Sequence, residues 1–62
     1  MPYLAIDKNK TECIFDDIPT RQEYTHEWIN IPSLGKYFIL PNGSIEKLTG
    51  KKLTWKDEPI EI

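Results

Sequence analysis

Apolar positions in this chain come in short runs of strand length. Tyr3-Leu4-Ala5-Ile6 is the first such run. Thr11 to Asp16 alternates, with Cys13 and Phe15 on one side and Ile14 on the other. Between them Asp7-Lys8-Asn9-Lys10 supplies turn residues, and Asn9 is the one suited to a positive φ. The pattern predicts an N-terminal hairpin.

Asp16-Asp17-Ile18-Pro19-Thr20 ends the second strand, because Pro19 cannot donate to a ladder and restrains Ile18. Residues 20–27 are polar and without a clear period, which predicts a loop or a single helical turn. Trp28-Ile29-Asn30-Ile31 predicts a third strand ended by Pro32, and Ser33-Leu34-Gly35 a turn. A fourth strand is predicted from Lys36 to Leu40. Its run Tyr37-Phe38-Ile39-Leu40 is apolar on both faces, which implies cover on both faces or a dimer partner on one.

Pro41-Asn42-Gly43 turns the chain and opens two readings. In the first, Ser44 is an N-cap, Ile45 and Leu48 sit at helical spacing, and Gly50 is the C-cap, giving a short helix near 44–49. In the second, Asn42-Gly43 is a hairpin turn between strands. The helix is preferred because strand alternation fails at Glu46-Lys47. Thr54 to Asp57 resembles a weak cap around one more turn, with Trp55 packing inward. Pro59-Ile60-Glu61-Ile62 alternates as a final edge strand would. The expected fold class is α+β: an antiparallel sheet of four to five strands with one short helix, a single small domain over 1–62, and loops that leave little room for a deep pocket.

Composition sharpens this picture. A chain of 62 residues buries only about 60 % of the surface its unfolded form exposes. Small domains usually recruit a disulfide, a metal or a partner to compensate. One cysteine, Cys13, excludes an internal disulfide, and with one histidine, His26, it falls short of a four-ligand zinc site. That leaves a well-made core or oligomerisation, with a homodimer as the form the latter would take. Nine Ile and seven aromatics against a single Ala favour a pleated surface over a helical bundle. No apolar run is long enough to cross a membrane. Acids at Asp7, Glu12, Asp16 and Asp17 occupy the place of a signal peptide's apolar core, so the expected location is the cytoplasm.

The net charge of −2 is unevenly placed. Residues 7–27 carry six acids and three bases, residues 36–56 five Lys and one Glu, and residues 57–62 three acids and no base. An ordinary mixed surface explains this, and so does a module that offers a basic patch or an acidic face to a partner.

Candidate chemistry is sparse. Cys13 lies mid-strand among apolar neighbours, where an inert buried thiol is the commoner outcome. His26 sits among Glu23, Tyr24 and Glu27 as a solvated loop residue would. Adjacent Asp16 and Asp17 point to opposite strand faces, without calcium-loop spacing. The glycines are scattered and start no phosphate-binding loop. No catalytic residue, metal site or cofactor is expected, and the chain does not look like an enzyme. Lys47, Lys51, Lys52 and Lys56 could line a basic edge for a nucleic acid or nucleotide signal, but a pI near 5.2 argues for a solvated face instead. Protein binding suits the residues better. Tyr24, Glu27, Trp28 and Tyr37 flank the least regular segment, and two Trp with three Tyr exceed what so small a core must hide.

Leu40-Pro41-Asn42-Gly43-Ser44-Ile45-Glu46-Lys47-Leu48-Thr49-Gly50, followed by Leu53-Thr54-Trp55-Lys56-Asp57-Glu58-Pro59, resembles the C-terminal half of small uncharacterised phage and prophage proteins. Tyr3 to Lys8 followed by Thr11-Glu12 is similar in style, while residues 18–36 carry no resemblance. The resemblance implies a context rather than an activity: a short acidic cytoplasmic protein made during infection, acting on a host or defence-system protein. The leading expectation is therefore a non-enzymatic binding module, such as an inhibitor of a defence component that works by occlusion. The alternative is a small nucleic-acid or nucleotide-signal binder.

Overall fold

The computed structural model describes residues 2–30 and 37–62. The described chain runs β1 (Tyr3–Ile6), β2 (Glu12–Phe15), β3 (Thr20–Gln22), β4 (Glu27–Ile29), β5 (Phe38–Leu40), α1 (Ser44–Thr49) and β6 (Ile60–Glu61). Four strands form one antiparallel sheet in the order β5-β2-β1-β6, and β3 pairs with β4 in a separate two-stranded sheet. The fold class is α+β, with the strands split between two sheets rather than gathered in one.

The N-terminal hairpin forms as the pattern predicts, with Leu4 opposite Ile14 and Ala5 opposite Cys13. Its turn differs in one detail. Lys10, not Asn9, takes the left-handed conformation, at φ 71°. Asn9 contributes through its side chain, whose Oδ1 accepts the Thr11 N–H at 3.0 Å. Partners across an antiparallel ladder share a face, so Ala5, Cys13 and Phe15 lie together. Trp28 from β4 completes that core and Trp55 packs against it. On the opposite face Leu4 is fully buried, so the sheet is covered on both sides near its centre.

The main correction concerns residues 20–27, which form β3, a turn and the start of β4 rather than a loop or helical turn. The hairpin has no apolar period of its own. It exists because Trp28 is locked into the core by two polar bonds as well as by packing. The Trp28 N–H donates to Asp7 Oδ1 at 2.9 Å, and its indole N–H donates to the Ile6 carbonyl at 2.9 Å. Lys8 N–H adds a bond to the His26 carbonyl at 3.2 Å. Asp7 is only 2 % exposed, and a buried carboxylate with its acceptors occupied is stabilising where an unpaired one would be costly. Trp28-Ile29 is a strand as expected, but of the small sheet. The predicted turn at 33–35, Lys36 and the end of the third strand at Ile31 lie outside the described residues.

The helix near 44–49 forms, and the hairpin alternative does not. Its N-cap is Gly43 at φ 91°, not Ser44, and no local side chain caps it. The cap comes from β2 instead. Glu12 Oε2 accepts the Gly43 N–H at 2.7 Å and Glu12 Oε1 accepts the Ile45 N–H at 2.8 Å. Ser44 turns its hydroxyl back to donate to the Pro41 carbonyl at 2.6 Å. One carboxylate thus satisfies two orphan donors of the helix and ties the helix start to β2. Gly50 closes the helix at φ 76°, a conformation a side chain would strain. Thr54 and Asp57 form the small turn expected of them, with the Thr54 N–H donating to Asp57 Oδ2 at 2.8 Å and the Asp57 N–H to the Thr54 carbonyl at 3.0 Å. β6 then joins the edge of β1, Leu4 opposite Ile60.

Candidate functional site

Three features outside the core carry enough detail to be read as function or as architecture. The first is Arg21. Its guanidinium lies 4.7 Å from the Trp28 ring centre and 5.2 Å from that of Trp55. It donates to the carbonyls of Trp55 at 2.9 Å and Asp57 at 3.2 Å, and pairs with Glu58 at 3.7 Å. Only a planar, multiply donating cation can lie against two rings and hold two carbonyls together. The arrangement fastens the β3–β4 hairpin to the C-terminal turn. The polar contacts all run from Nη2 to groups of the chain itself, while the buried Nε has no hydrogen-bond partner among the described residues; the contacts serve architecture.

The second feature is β5, an edge of the larger sheet. Phe38 is 60 % and Ile39 69 % exposed, and Tyr37 beside them is exposed as well. The Tyr37 and Phe38 rings pack edge to face, with centres 4.6 Å apart. The apolar character on both faces of this run implies cover on both faces or a dimer partner on one. Within the chain, Phe38 and Ile39, which point to opposite faces, are both exposed, although their ladder partners Ile14 and Cys13 are half-buried and buried. Natural sheets protect such edges with charges, prolines or bulges, and β5 contains none of these.

The third feature is a cleft of about 630 Å³ at the turn end of the first hairpin. Ile6, Ile45, Leu53 and Trp55 give it apolar walls, and Lys8, Lys10 and Lys52 stand around it. The short loops leave a broad, half-open concave surface rather than a deep pocket. It arises between the hairpin end, the helix start and residues 52–55, which no single segment of the sequence announces.

The residues singled out for protein binding do not form one surface. Tyr24 is 92 % exposed in the turn of the β3–β4 hairpin and Glu27 is half-buried in β4, whereas Tyr37 belongs to the edge of the other sheet. Trp28 is corrected outright. At 3 % exposure it is core and offers no contact area to a partner. Lys47, Lys51, Lys52 and Lys56 are all exposed, but of the four only Lys52 borders the cleft. The apolar run at 37–40 is legible in the sequence, but the exposure of Phe38 and Ile39 is not. Sequence reasoning missed Lys8 and Lys10, which a turn reading absorbs.

Cys13 is fully buried, with its thiol 3.8 Å from the Thr11 carbonyl, which suits a core thiol and not a nucleophile. His26 is exposed at φ 59°, its ring set edge-on to Trp55 at 6.3 Å. Among the described residues no three His, Cys, Asp or Glu side chains gather as a metal site would need, and no helix is long and apolar enough to cross a membrane. No family model, characterised protein or solved structure matches the chain.

Proposed function

We propose that the protein is a non-enzymatic protein-binding module whose contact surface is the edge strand β5. The observation that carries this reading is the exposure of Phe38 and Ile39 on a strand with no charged residue, with exposed Tyr37 beside it. An uncovered strand edge supplies backbone donors and acceptors for a partner strand, while its alternating side chains supply selectivity. Aromatic and aliphatic side chains standing clear of the surface are the usual anchors of an interface. The module then acts by occlusion, as a surface that covers part of its partner. The resemblance to phage and prophage proteins implies that the partner is a host or defence-system protein. The reading keeps Tyr37 from the expected contact set and moves its centre from the β3–β4 hairpin to β5.

The test is paired capture from a lysate of the cell in which the protein is made. Wild type is expected to retain a partner at stoichiometric yield, and Ile39→Lys to lose it while keeping its melting temperature. Retention of the same partner by Ile39→Lys would contradict the reading. So would a solution mass of two chains with β5 protected from solvent, because a second copy would then occupy the edge.

A further inference from the structure

The cleft at the hairpin end is independent of β5 and has a chemistry of its own. Its lining includes three acids and three lysines, but these groups are not equivalent. Asp7 and Glu12 are buried, and their carboxylates accept the N–H groups of Trp28, Gly43 and Ile45. They are committed to the fold. Among the charged lining residues that stand in solvent, Lys8, Lys10 and Lys52 outnumber Glu46. Lys8 and Lys10 come from the β1–β2 turn and Lys52 from the segment after α1. Three cations from two distant parts of the chain therefore surround one opening. Beneath them the half-buried Trp55, Ile6 and Leu53 and the buried Ile45 form apolar walls.

Apolar walls with a few convergent polar groups are the ordinary composition of a small-molecule site, and such sites measure about 300–1,000 Å³. A cleft of about 630 Å³ falls within that range. We infer that it binds a small organic anion built on a flat ring, of mononucleotide size, with the ring against Trp55 and the anionic group among Lys8, Lys10 and Lys52. Aromatic side chains contact base-like rings favourably, and lysine meets phosphate as a mobile point charge. The inference also relocates the basic site expected from sequence. Lys52 stays, Lys8 and Lys10 join it, and Lys47, Lys51 and Lys56 fall outside the lining.

The test is titration of the full chain with AMP and with GMP at low salt, followed by backbone amide shifts and Trp fluorescence. The expected result is saturable binding that moves the amides of Lys8, Lys10 and residues 52–55 and perturbs Trp55. The pair Lys10→Glu with Lys52→Glu is expected to weaken binding at least about tenfold, since each loses a charge-assisted contact. The pair Lys47→Glu with Lys56→Glu is expected to leave it unchanged. All four lysines are exposed, so the variants fold. Ribose 5-phosphate, adenosine and inorganic phosphate separate the two halves of the claim. Equal binding of ribose 5-phosphate or inorganic phosphate would overturn the ring contact, and equal binding of adenosine would overturn the anion contact. The absence of saturable binding by AMP and GMP at millimolar concentration would overturn the whole inference.

Discussion

The larger sheet has two edges, and the chain treats them differently. The β6 edge is two residues long, follows a proline and carries Glu61, with Asp57 and Glu58 just before it. Short length, proline and charge are the standard means of preventing strand addition. Ile62 N–H also donates to the Pro2 carbonyl at 2.9 Å, so pairing runs past the end of the strand. The β5 edge is also short and is followed by Pro41, but it differs within the strand. Three apolar residues, Phe38, Ile39 and Leu40, carry no charge, and two of them are more than half exposed. Among the described residues, the difference is one of charge and exposure: Glu61 stands within β6, whereas Phe38 and Ile39 of β5 are apolar and exposed. The contrast is what makes β5 a docking strand in this account.

The largest way to break the comparison is to release the frame behind β5. Glu12 stands opposite Leu40 in the ladder and caps α1 with both oxygens. Glu12→Ala leaves two helix N–H groups without their acceptor, and a loss of about 3 kcal/mol is expected. For so small a domain that lowers the melting temperature by about 20 °C or more, measurable by thermal circular dichroism. Glu12→Gln keeps one neutral acceptor and should lose about half as much.

Arg21→Ala acts on the opposite side, where the guanidinium holds the turn that leads into β6. A loss of about 2 kcal/mol is expected, and Arg21→Lys should recover only part of it, since an ammonium has no planar face to lie against the two rings. The bond to Glu58 contributes little to this. Glu58 is 84 % exposed, so Glu58→Ala should cost less than about 0.5 kcal/mol in denaturant unfolding.

Substitutions on β5 separate binding from stability. Phe38→Lys and Ile39→Lys are expected to leave unfolding free energy within about 0.5 kcal/mol of wild type, while weakening partner capture at least about tenfold. Glu61→Val gives the smallest effect. It makes the β6 edge resemble β5 and should raise self-association slightly in light scattering without changing the fold.

Elements whose instructions are local were legible in the sequence. Tyr3 to Ile6 is an apolar run, Thr11 to Asp16 alternates after a polar turn, Gly43 and Gly50 bracket a short helix, and Thr54 with Asp57 marks a turn. What was missed depends on partners distant in the chain. β3 is polar and becomes a strand only because Trp28 is held by Asp7 and Ile6, about twenty residues away. The helix cap was sought at Ser44, where local rules place it, and found on Glu12, thirty-one residues from Gly43. Trp28 is a contact candidate in the sequence because it flanks the least regular segment of an aromatic-rich chain. It is core because the hairpin folds that indole onto Ala5, Cys13 and Phe15. The apolar run at 37–40 was legible as unusual, but whether its faces were covered depends on the sheet order, which no local pattern records.

The most direct test of the central claim is amide hydrogen exchange on the captured complex against the unbound protein. The account predicts that exchange slows at Tyr37 to Leu40 on binding and is unchanged at Ile60 and Glu61. Equal exchange at β5 in the two states, or protection that appears at β6 instead, would contradict it.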